Sequence, residues 1–260
     1  MTESEEPPRR TGTAAGNVQS VDRAIDLLEL LADAGGQATL SELAEAARLP
    51  LPTIHRLLRT LLGRGYVRQT PSRRYTLGPR LIRLGESAGR QLGAGARPHL
   101  EQLADRLGES ANLAMIDRDM VVYVAQASSR HAMRTFTEVG RRVFPHSTGV
   151  GKAVLAQLPD STVREIVART GMPPATSATI TDVDDLLVEL HRTRERGYAI
   201  DDGEQELGVR CFAVGVPDAP TPTALSVSGP TTRVSVEFGE SAVPILHEAA
   251  RVLARELVTT

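Results

Sequence analysis

The stretch Leu49–Leu62, LPLPTIHRLLRTLL, limits the fold of this chain more than any other segment. Its apolar residues recur at helical spacing while its polar residues gather on the other side, a pattern that predicts an amphipathic helix of about three turns. Pro52 suits the first turn of that helix, and Gly63 and Gly65 end it. Viewed alone, the pattern favours an ordinary surface helix with one solvated face.

The flanking segments change this interpretation. Upstream, Leu40–Ala47 predicts a short helix that Thr39 and Glu42 open at the Thr-x-x-Glu spacing of a capping box. Downstream, two short strands are predicted at Tyr66–Gln69 and Arg74–Leu77, joined by a loop. Together these elements indicate a winged helix-turn-helix, whose second helix enters the major groove and whose wing lies along the phosphates. The predicted contacts with double-stranded DNA are Thr53, His55, Arg56, Arg59, Thr60, Arg73 and Arg74.

Charge is distributed unevenly along the chain. The formal net charge is −2, which argues against a protein that coats nucleic acid without selection. Between positions 48 and 83, however, the sequence has nine arginines and neither aspartate nor glutamate. This basic stretch supports local DNA contact, because a winged helix used only for protein contacts would not need it.

Length and composition describe an ordinary globular chain. With 260 residues, of which 41% are hydrophobic and 24% charged, the chain has room for one sizeable domain and a small one. The single cysteine, Cys211, excludes an internal disulfide and is typical of a reducing cytoplasm. No apolar run approaches the ~20 residues of a membrane helix, and the N-terminus lacks a signal-peptide core. We expect a cytoplasmic protein with no membrane partner.

The order of these features predicts four segments. The N-terminal arm has too little apolar content to pack and is expected to be disordered; its two adjacent arginines could reach a minor groove, but a solubilising tail is favoured. A scaffold helix begins near Val18 and stops at Gly35 and Gly36. A further helical pattern at Pro79–Leu92 predicts a stiff linker. The segments are the arm at 1–16, the winged helix-turn-helix at 17–78, the helical linker at 79–95 and a larger domain at 96–260.

The larger domain mixes strand and helix patterns. Alternating residues predict strands at 111–115, 121–125, 209–216 and 223–228. Helical spacing is found at 99–107, 151–158, 162–169, 183–196 and 241–257. Strands mixed with peripheral helices predict an α+β fold with a largely antiparallel sheet.

Several long motifs carry a family resemblance. NVQSVDRAIDLLELLA, TLSELAEAARLPLPTIHRLLRTLLGRGYV and YTLGPRLIRLG resemble the DNA-binding domain of IclR-type bacterial transcriptional regulators, and VGRRVFPHSTGVGKAVLA and RGYAIDDGEQELGVRCFAVGV continue the likeness. The resemblance implies an N-terminal winged helix and a C-terminal, GAF-like effector-binding domain. It also implies homodimers or homotetramers on palindromic operators.

A binding site for a small acid is expected in the second half. A Ser/Thr/Gly turn, Ser147–Gly151, opens a helix and offers backbone N–H groups to a carboxylate, although capping by Ser147 or Thr148 would explain it equally well. Asp201 is placed in an acidic loop, and Cys211 on a strand whose face it shares with Val209 and Ala213. The resemblance implies effector contacts at Gly149, Val150, Asp201, Cys211, Ser226 and Ser228, and a facing segment that includes Met133 and Thr135.

The implied effector is a small carboxylate. The backbone N–H groups and serine hydroxyls would hold its carboxylate, and Asp201 would accept a hydrogen bond from its hydroxyl. Val150 makes the expected site narrower, and the facing segment that includes Met133 and Thr135 makes its wall smaller and more polar. Glyoxylate- or pyruvate-like 2-oxo or hydroxy acids are favoured, with allantoin breakdown products or aromatic acids as alternatives. Repression relieved by the effector is the expected mode, with activation as the alternative, and no cofactor is expected.

An enzyme is the rival class. Cys211 could act as a nucleophile with His146 or His191 as its base, and PHSTGVGK invites comparison with a phosphate-binding loop. The loop motif fails, because Ala153 follows Lys152 where serine or threonine is needed, and no Cys/His cluster offers a zinc site. Lys152 is the only lysine of the chain. Its expected role is structural, as the partner of Glu204 or Glu206.

Overall fold

The computed structural model describes residues 18–92, 94–132 and 137–258. They form two compact units that divide between Ser87 and Ala88. This division falls inside the segment 79–95 that the sequence assigns to a linker, and that segment contains helix α4, Arg80–Leu92. The expected arm at 1–16 lies outside the described residues.

The first unit is a winged helix-turn-helix. Helices α1, Gln19–Asp33, α2, Leu40–Ala47, and α3, Leu51–Gly63, enclose a core that includes the buried side chains of Leu31 and Leu58. The capping box at the start of α2 is confirmed, since Thr39 N donates to Glu42 Oε2 at 2.7 Å and Glu42 N donates to Thr39 Oγ1 at 3.2 Å.

A small antiparallel sheet completes the first unit. Strands β2, Val67–Gln69, and β3, Tyr75–Leu77, form the wing within one residue of the predicted bounds. A two-residue strand β1, Gln37–Ala38, pairs with β3 and was not predicted, because so short a strand has no measurable periodicity. At the wing tip, Arg73 takes a left-handed backbone conformation with φ of 59°.

The second unit is built on a six-stranded sheet in the order β6-β5-β4-β9-β8-β7. All neighbouring pairs are antiparallel, so the predicted α+β class with a largely antiparallel sheet is confirmed. The strands are β4, Ser110–Asp117, β5, Met120–Ala127, β6, Arg142–Val143, β7, Ala199–Asp202, β8, Val209–Gly215, and β9, Thr223–Pro230. The short strands β6 and β7 were not predicted, and the placement of Asp201 in a loop was wrong because it lies on β7.

Helices cover both faces of this sheet. Along β8, Phe212 packs with the cluster around α5, Arg97–Leu107, and α9, Val236–Val258, whereas the adjacent Ala213 packs with the cluster around α6, Gly149–Leu155. Successive strand residues point to opposite faces, so these clusters lie on opposite sides of the sheet. Helices α7, Asp160–Thr170, and α8, Val183–Arg196, share a further core with Leu155 of α6.

Proline and serine positions in the sequence did not predict the bounds of the last helix correctly. Helix α9 begins at Val236, five residues before the predicted start at Ser241, and continues through Pro244. Within the described ranges, none of the helices combines the length and apolarity that a bilayer crossing requires.

Candidate functional site

One face of helix α3 is polar and exposed. Its apolar residues, among them Ile54 and Leu58, are fully buried in the core of the first unit. The predicted DNA contacts His55, Arg56, Arg59 and Thr60 are exposed, and Thr53 is half-buried. The Thr60 hydroxyl donates back to the Arg56 carbonyl at 3.1 Å. Two guanidinium groups therefore project from the solvent face of the second helix of the motif.

The two wing arginines have different surroundings. Arg73 is exposed at the tip of the wing. Arg74 is half-buried, and its Nη2 donates to Glu42 Oε2 at 3.1 Å. Since Glu42 belongs to the capping box of α2, Arg74 ties the wing to that helix. Any phosphate contact of Arg74 competes with this ion pair.

The second unit contains a cavity of about 220 Å³. Four of the predicted effector contacts line it: Gly149, Asp201, Cys211 and Ser228. The other lining residues include Tyr123, Arg141 and Gln205, which the sequence did not single out, and Thr148 and Glu206, which it named only as a possible helix cap and a possible partner of Lys152. They come from elements far apart in the chain, and only the strand register brings them together. Met133 and Thr135 lie outside the described residues.

Strand register places three of these residues side by side. Asp201 of β7 pairs with Cys211 of β8, and Cys211 pairs with Ser228 of β9. Directly opposed residues of antiparallel strands share a face and lie ~4.5–5.5 Å apart. A single transverse row therefore presents a carboxyl, a thiol and a hydroxyl group to the cavity.

The start of α6 is closely packed against Cys211. A Cβ atom on Gly149 would lie 2.8 Å from Cys211 Sγ, so this position requires glycine. Thr148 caps the helix, since its Oγ1 accepts from Gly151 N at 3.1 Å. The backbone N–H of Val150 is directed at the sulfur of Cys211, and the Val150 side chain is fully buried in the core beneath the sheet. The capping alternative is thus confirmed for Thr148.

The two predicted serines are linked by an unpredicted asparagine. Asn112 Nδ2 lies 3.4 Å from Ser226 Oγ and 3.3 Å from Ser228 Oγ and donates to both. Ser226 is buried and also hydrogen-bonds the Cys211 side chain, so its hydroxyl lies behind the cavity wall. Asn112 could have been found from sequence only by knowing the register of β4 with β9.

Burial sets the protonation of the cavity groups. Asp201 is 4% exposed, and this burial raises its pKa to about 6, against the lowering effect of backbone N–H donation and of Lys152. Its Oδ1 accepts from Glu204 N at 2.8 Å and from Gln205 N at 3.3 Å. Burial also raises the pKa of Cys211 to about 12, which keeps the thiol protonated at neutral pH.

Neither candidate base is bonded to this thiol. His146 Nε2 contacts the Pro173 carbonyl at 3.2 Å, and His191 Nε2 contacts Asp160 Oδ2 at 2.9 Å. A protonated thiol without a base lacks the activation that nucleophilic catalysis requires. Among the described residues, no group of three or more His, Cys, Asp or Glu residues is arranged to hold a metal ion.

A buried ion pair lies beneath the cavity. Lys152, 1% exposed, donates to Glu204, so the predicted partner is confirmed as Glu204, while Glu206 lines the cavity instead. Thr179 Oγ1 donates to the Glu204 carbonyl at 2.6 Å. The turn that follows Asp201 is therefore held through the Glu204 side chain, which binds Lys152, and through the Glu204 backbone, which binds Thr179.

Two family models match the chain over most of its length. One, described as the IclR helix-turn-helix domain, matches residues 20–71, and the other, described as bacterial transcriptional regulator IclR C-terminal, matches residues 88–255. The chain belongs to the IclR family. The matching models describe transcriptional regulators and not enzymes, in agreement with the protonated thiol of Cys211.

Relatives of this IclR-family chain match it along nearly their whole length. The Transcriptional repressor IclR of Escherichia coli K12 is 36% identical over 253 residues, which are 93% of this chain and 92% of that protein. The crystal structure of a regulator from Alicyclobacillus acidocaldarius has a TM-score of 0.80 at 33% identity and covers 92% of this chain and 98% of its own. An IclR homologue from Microbacterium hydrocarbonoxydans, complexed with 4-hydroxybenzoate, has a TM-score of 0.76 at 25% identity and covers 93% of this chain and 100% of its own.

Proposed function

We propose that this IclR-family regulator is an effector-responsive repressor that binds a palindromic DNA operator and leaves it when a small carboxylate occupies the cavity of the second unit. The observation that carries this proposal is the presence, in one chain, of an exposed basic helix and a small polar cavity. Repression is favoured over activation because the relative from Escherichia coli is named a repressor. Activation of a catabolic operon remains the alternative sign of regulation.

The DNA contacts follow from the exposure of the basic side chains. We assign Thr53, His55, Arg56, Arg59 and Thr60 of α3 to the major groove, where arginine pairs with guanine through two hydrogen bonds. Arg73 of the wing contacts phosphate, and Arg74 does so only when it leaves Glu42. Contacts with bases select a sequence, whereas contacts with phosphates add affinity for any sequence.

The palindrome in this proposal requires a second copy of the chain. A two-fold symmetric operator is read by a two-fold symmetric dimer, with one recognition helix in each half-site. Apolar side chains on the first unit could cover one another in such a dimer: Val21 and Ile25 of α1 are 53% and 49% exposed, and Ile82 of α4 is 63% exposed. A homodimer, or a homotetramer formed from two of them, acts in the cytoplasm, where the operator lies.

The cavity favours a small effector. Its volume of about 220 Å³ is below the ~300–1,000 Å³ of pockets that hold drug-sized ligands. Asp201 accepts a hydrogen bond from the effector hydroxyl, and Gly149, Cys211 and Ser228 line the site beside it. Val150 and Ser226 support this wall from behind, and Met133 and Thr135 are assigned to the facing segment of a GAF-like domain. Glyoxylate- or pyruvate-like acids fit this volume. The 4-hydroxybenzoate bound by the Microbacterium protein supports aromatic acids as the second candidate class.

A thermal-shift screen with small carboxylates tests the sensor, and fluorescence anisotropy with DNA from the gene's own locus tests the repressor. An acid present at 100 times its Kd should stabilise the protein by about 2.7 kcal/mol. The same acid should then lower DNA affinity, typically ~5–150-fold. Protein that binds no DNA from its locus, or whose DNA affinity no stabilising acid changes, contradicts the proposal.

A further inference from the structure

Two backbone donors at the start of α6, first expected to hold the effector carboxylate, already have partners within the protein. The N–H of Val150 is directed at Cys211 Sγ, and the N–H of Gly151 donates to Thr148 Oγ1 at 3.1 Å. The hydroxyl oxygens of Ser226 and Ser228 both accept from Asn112. A carboxylate placed at the start of α6 would have to displace the two N–H bonds, and the serine hydroxyls, which accept from Asn112, could offer it only uncharged O–H donors. A charged donor must therefore come from elsewhere in the cavity wall.

A cation lies at the other side of the cavity. Arg141, just before strand β6, lines the cavity and is exposed. Within residues 18–92, 94–132 and 137–258, its guanidinium group makes no ion pair, whereas the neighbouring Arg142 pairs with Asp117 at 3.1 Å. An arginine without a protein carboxylate keeps its donor fork available for a carboxylate ligand.

A phenol group lies beside this cation. Tyr123 N donates to the Arg141 carbonyl at 3.2 Å, and Gly140 N donates to the Tyr123 carbonyl at 2.7 Å, so Tyr123 and Arg141 are neighbours across β5 and the segment that leads into β6. Tyr123 also lines the cavity. Burial raises the pKa of Tyr123, which keeps its hydroxyl protonated and able to donate.

The acidic groups of the cavity lie on the strand at the opposite edge of the sheet and in the loop after it. Asp201 is on β7, Glu206 is in the loop after β7, and the sheet order places β7 farthest from β6. One cavity is therefore lined by a cation from the segment before β6, a phenol from β5, and two carboxyl groups from β7 and the loop after it. Asp201 is close enough to Tyr123 to help raise the pKa of the phenol. Such a polarity favours a ligand with unlike ends.

We propose that Arg141 and Tyr123 bind the effector carboxylate, and that the effector is a monocarboxylate whose other end carries a hydroxyl group directed at Asp201. This inference rests on the proposed function, in which the cavity is the effector site. It keeps the effector hydroxyl at Asp201 but moves the carboxylate from the start of α6 and the serines to Arg141 and Tyr123. It also favours hydroxy acids over 2-oxo acids, because a 2-oxo group offers Asp201 no proton.

Isothermal titration calorimetry of the full chain tests this inference. The probes are glycolate, lactate, glyoxylate, pyruvate and 4-hydroxybenzoate, followed by the primary amide of each acid that binds and by acetate, propionate or benzoate as its counterpart without the hydroxyl. The variants are Arg141→Met, Arg141→Lys and, as a matched control one residue away, Arg142→Met. Unfolding temperatures equal to that of the wild type show that each variant folds.

We expect Arg141→Met to bind the acid about tenfold more weakly or worse, Arg141→Lys to fall in between because it keeps the charge, and Arg142→Met to match the wild type. The preference for acid over amide should fall in Arg141→Met alone. Unchanged affinity in Arg141→Met, or a wild type that prefers pyruvate to lactate, overturns this inference. Either result still agrees with the proposed function, in which the cavity binds an acid. If none of the acids binds the wild type, both the inference and the proposed function fail.

Discussion

The basic surface of the first unit and the cavity of the second unit hold their charged groups in different environments. Arg56, Arg59 and Arg73 are exposed to water, whereas Lys152 and Asp201 are almost completely buried. Exposed charges are screened by salt and add little to stability, while buried charges are costly unless they are paired. Exposed side chains of the first region can therefore be replaced at little cost in stability, whereas a change at Lys152 or Asp201 in the second region alters stability directly.

The largest expected effect comes from breaking the buried ion pair. Lys152→Met leaves the Glu204 carboxylate buried without its partner, which should lower the free energy of unfolding by about 3–5 kcal/mol. The control is Arg106→Ala, which removes an exposed pair with Glu248 and should cost about 0–1 kcal/mol. Urea unfolding of both variants measures the difference. Equal losses of unfolding free energy in the two variants would show that burial does not determine how much an ion pair contributes to stability.

The second prediction uses the titration of Asp201. Because burial raises its pKa from 3.8 to about 6, the folded state binds the proton more tightly, and this group's contribution to stability falls as pH rises from about 4 to above 6. The shift of about two units corresponds to about 3 kcal/mol across that window. Asp201→Asn cannot titrate and should lose this fall, while Asp22→Asn on the exposed side of α1 should behave as the wild type. From pH 4 to pH 7, the free energy of unfolding of the wild type should fall by about 3 kcal/mol relative to that of Asp201→Asn; a constant difference contradicts the assignment.

The third prediction separates base contacts from phosphate contacts in the first unit. Arg56→Ala should weaken operator binding by about 1–3 kcal/mol and relax the preference for one base pair. Arg73→Ala should weaken binding to operator and unrelated DNA alike and reduce the salt slope by about one. Fluorescence anisotropy at several salt concentrations measures both effects. Wild-type binding by Arg56→Ala would remove it from the base-contacting face.

The smallest effect is expected in α4, which joins the two regions along the chain. Glycine at Leu84 and at Ala88 should destabilise this helix by about 1 kcal/mol each. We predict a variant that binds DNA and effector separately as the wild type does, but in which effector lowers DNA affinity by a smaller factor. Reciprocal measurements, each affinity with and without the other ligand, decide the matter. Undiminished coupling in the variant would contradict signal transfer through this helix.

Local patterns explain why the first unit was predicted almost completely. The capping box at Thr39, the apolar stripe of α3 and the turn between the two short strands of the wing each depend on residues a few positions apart, and the fold follows from packing them together. Strand β1 was not predicted because its two residues form a strand only by pairing with β3, more than thirty positions away.

The cavity depends instead on pairings between distant residues. Asp201 lies in a four-residue edge strand, AIDD, whose acids are typical of a loop, so no local pattern marked β7 as a strand. Tyr123 and Arg141 become neighbours through the register of β5 with the segment before β6, and Asn112 reaches the serines through β4 and β9. Family resemblance pointed to Gly149 and Cys211, but only the fold shows which groups are already bonded.

The close approach of Gly149 and Cys211 has an evolutionary consequence. A Cβ atom at position 149 and the sulfur at position 211 would claim the same volume, since they would lie 2.8 Å apart. A lineage that gains a side chain at 149 must shrink the residue at 211 in the same or a neighbouring step. Across IclR-family sequences, the two positions should therefore vary together rather than independently.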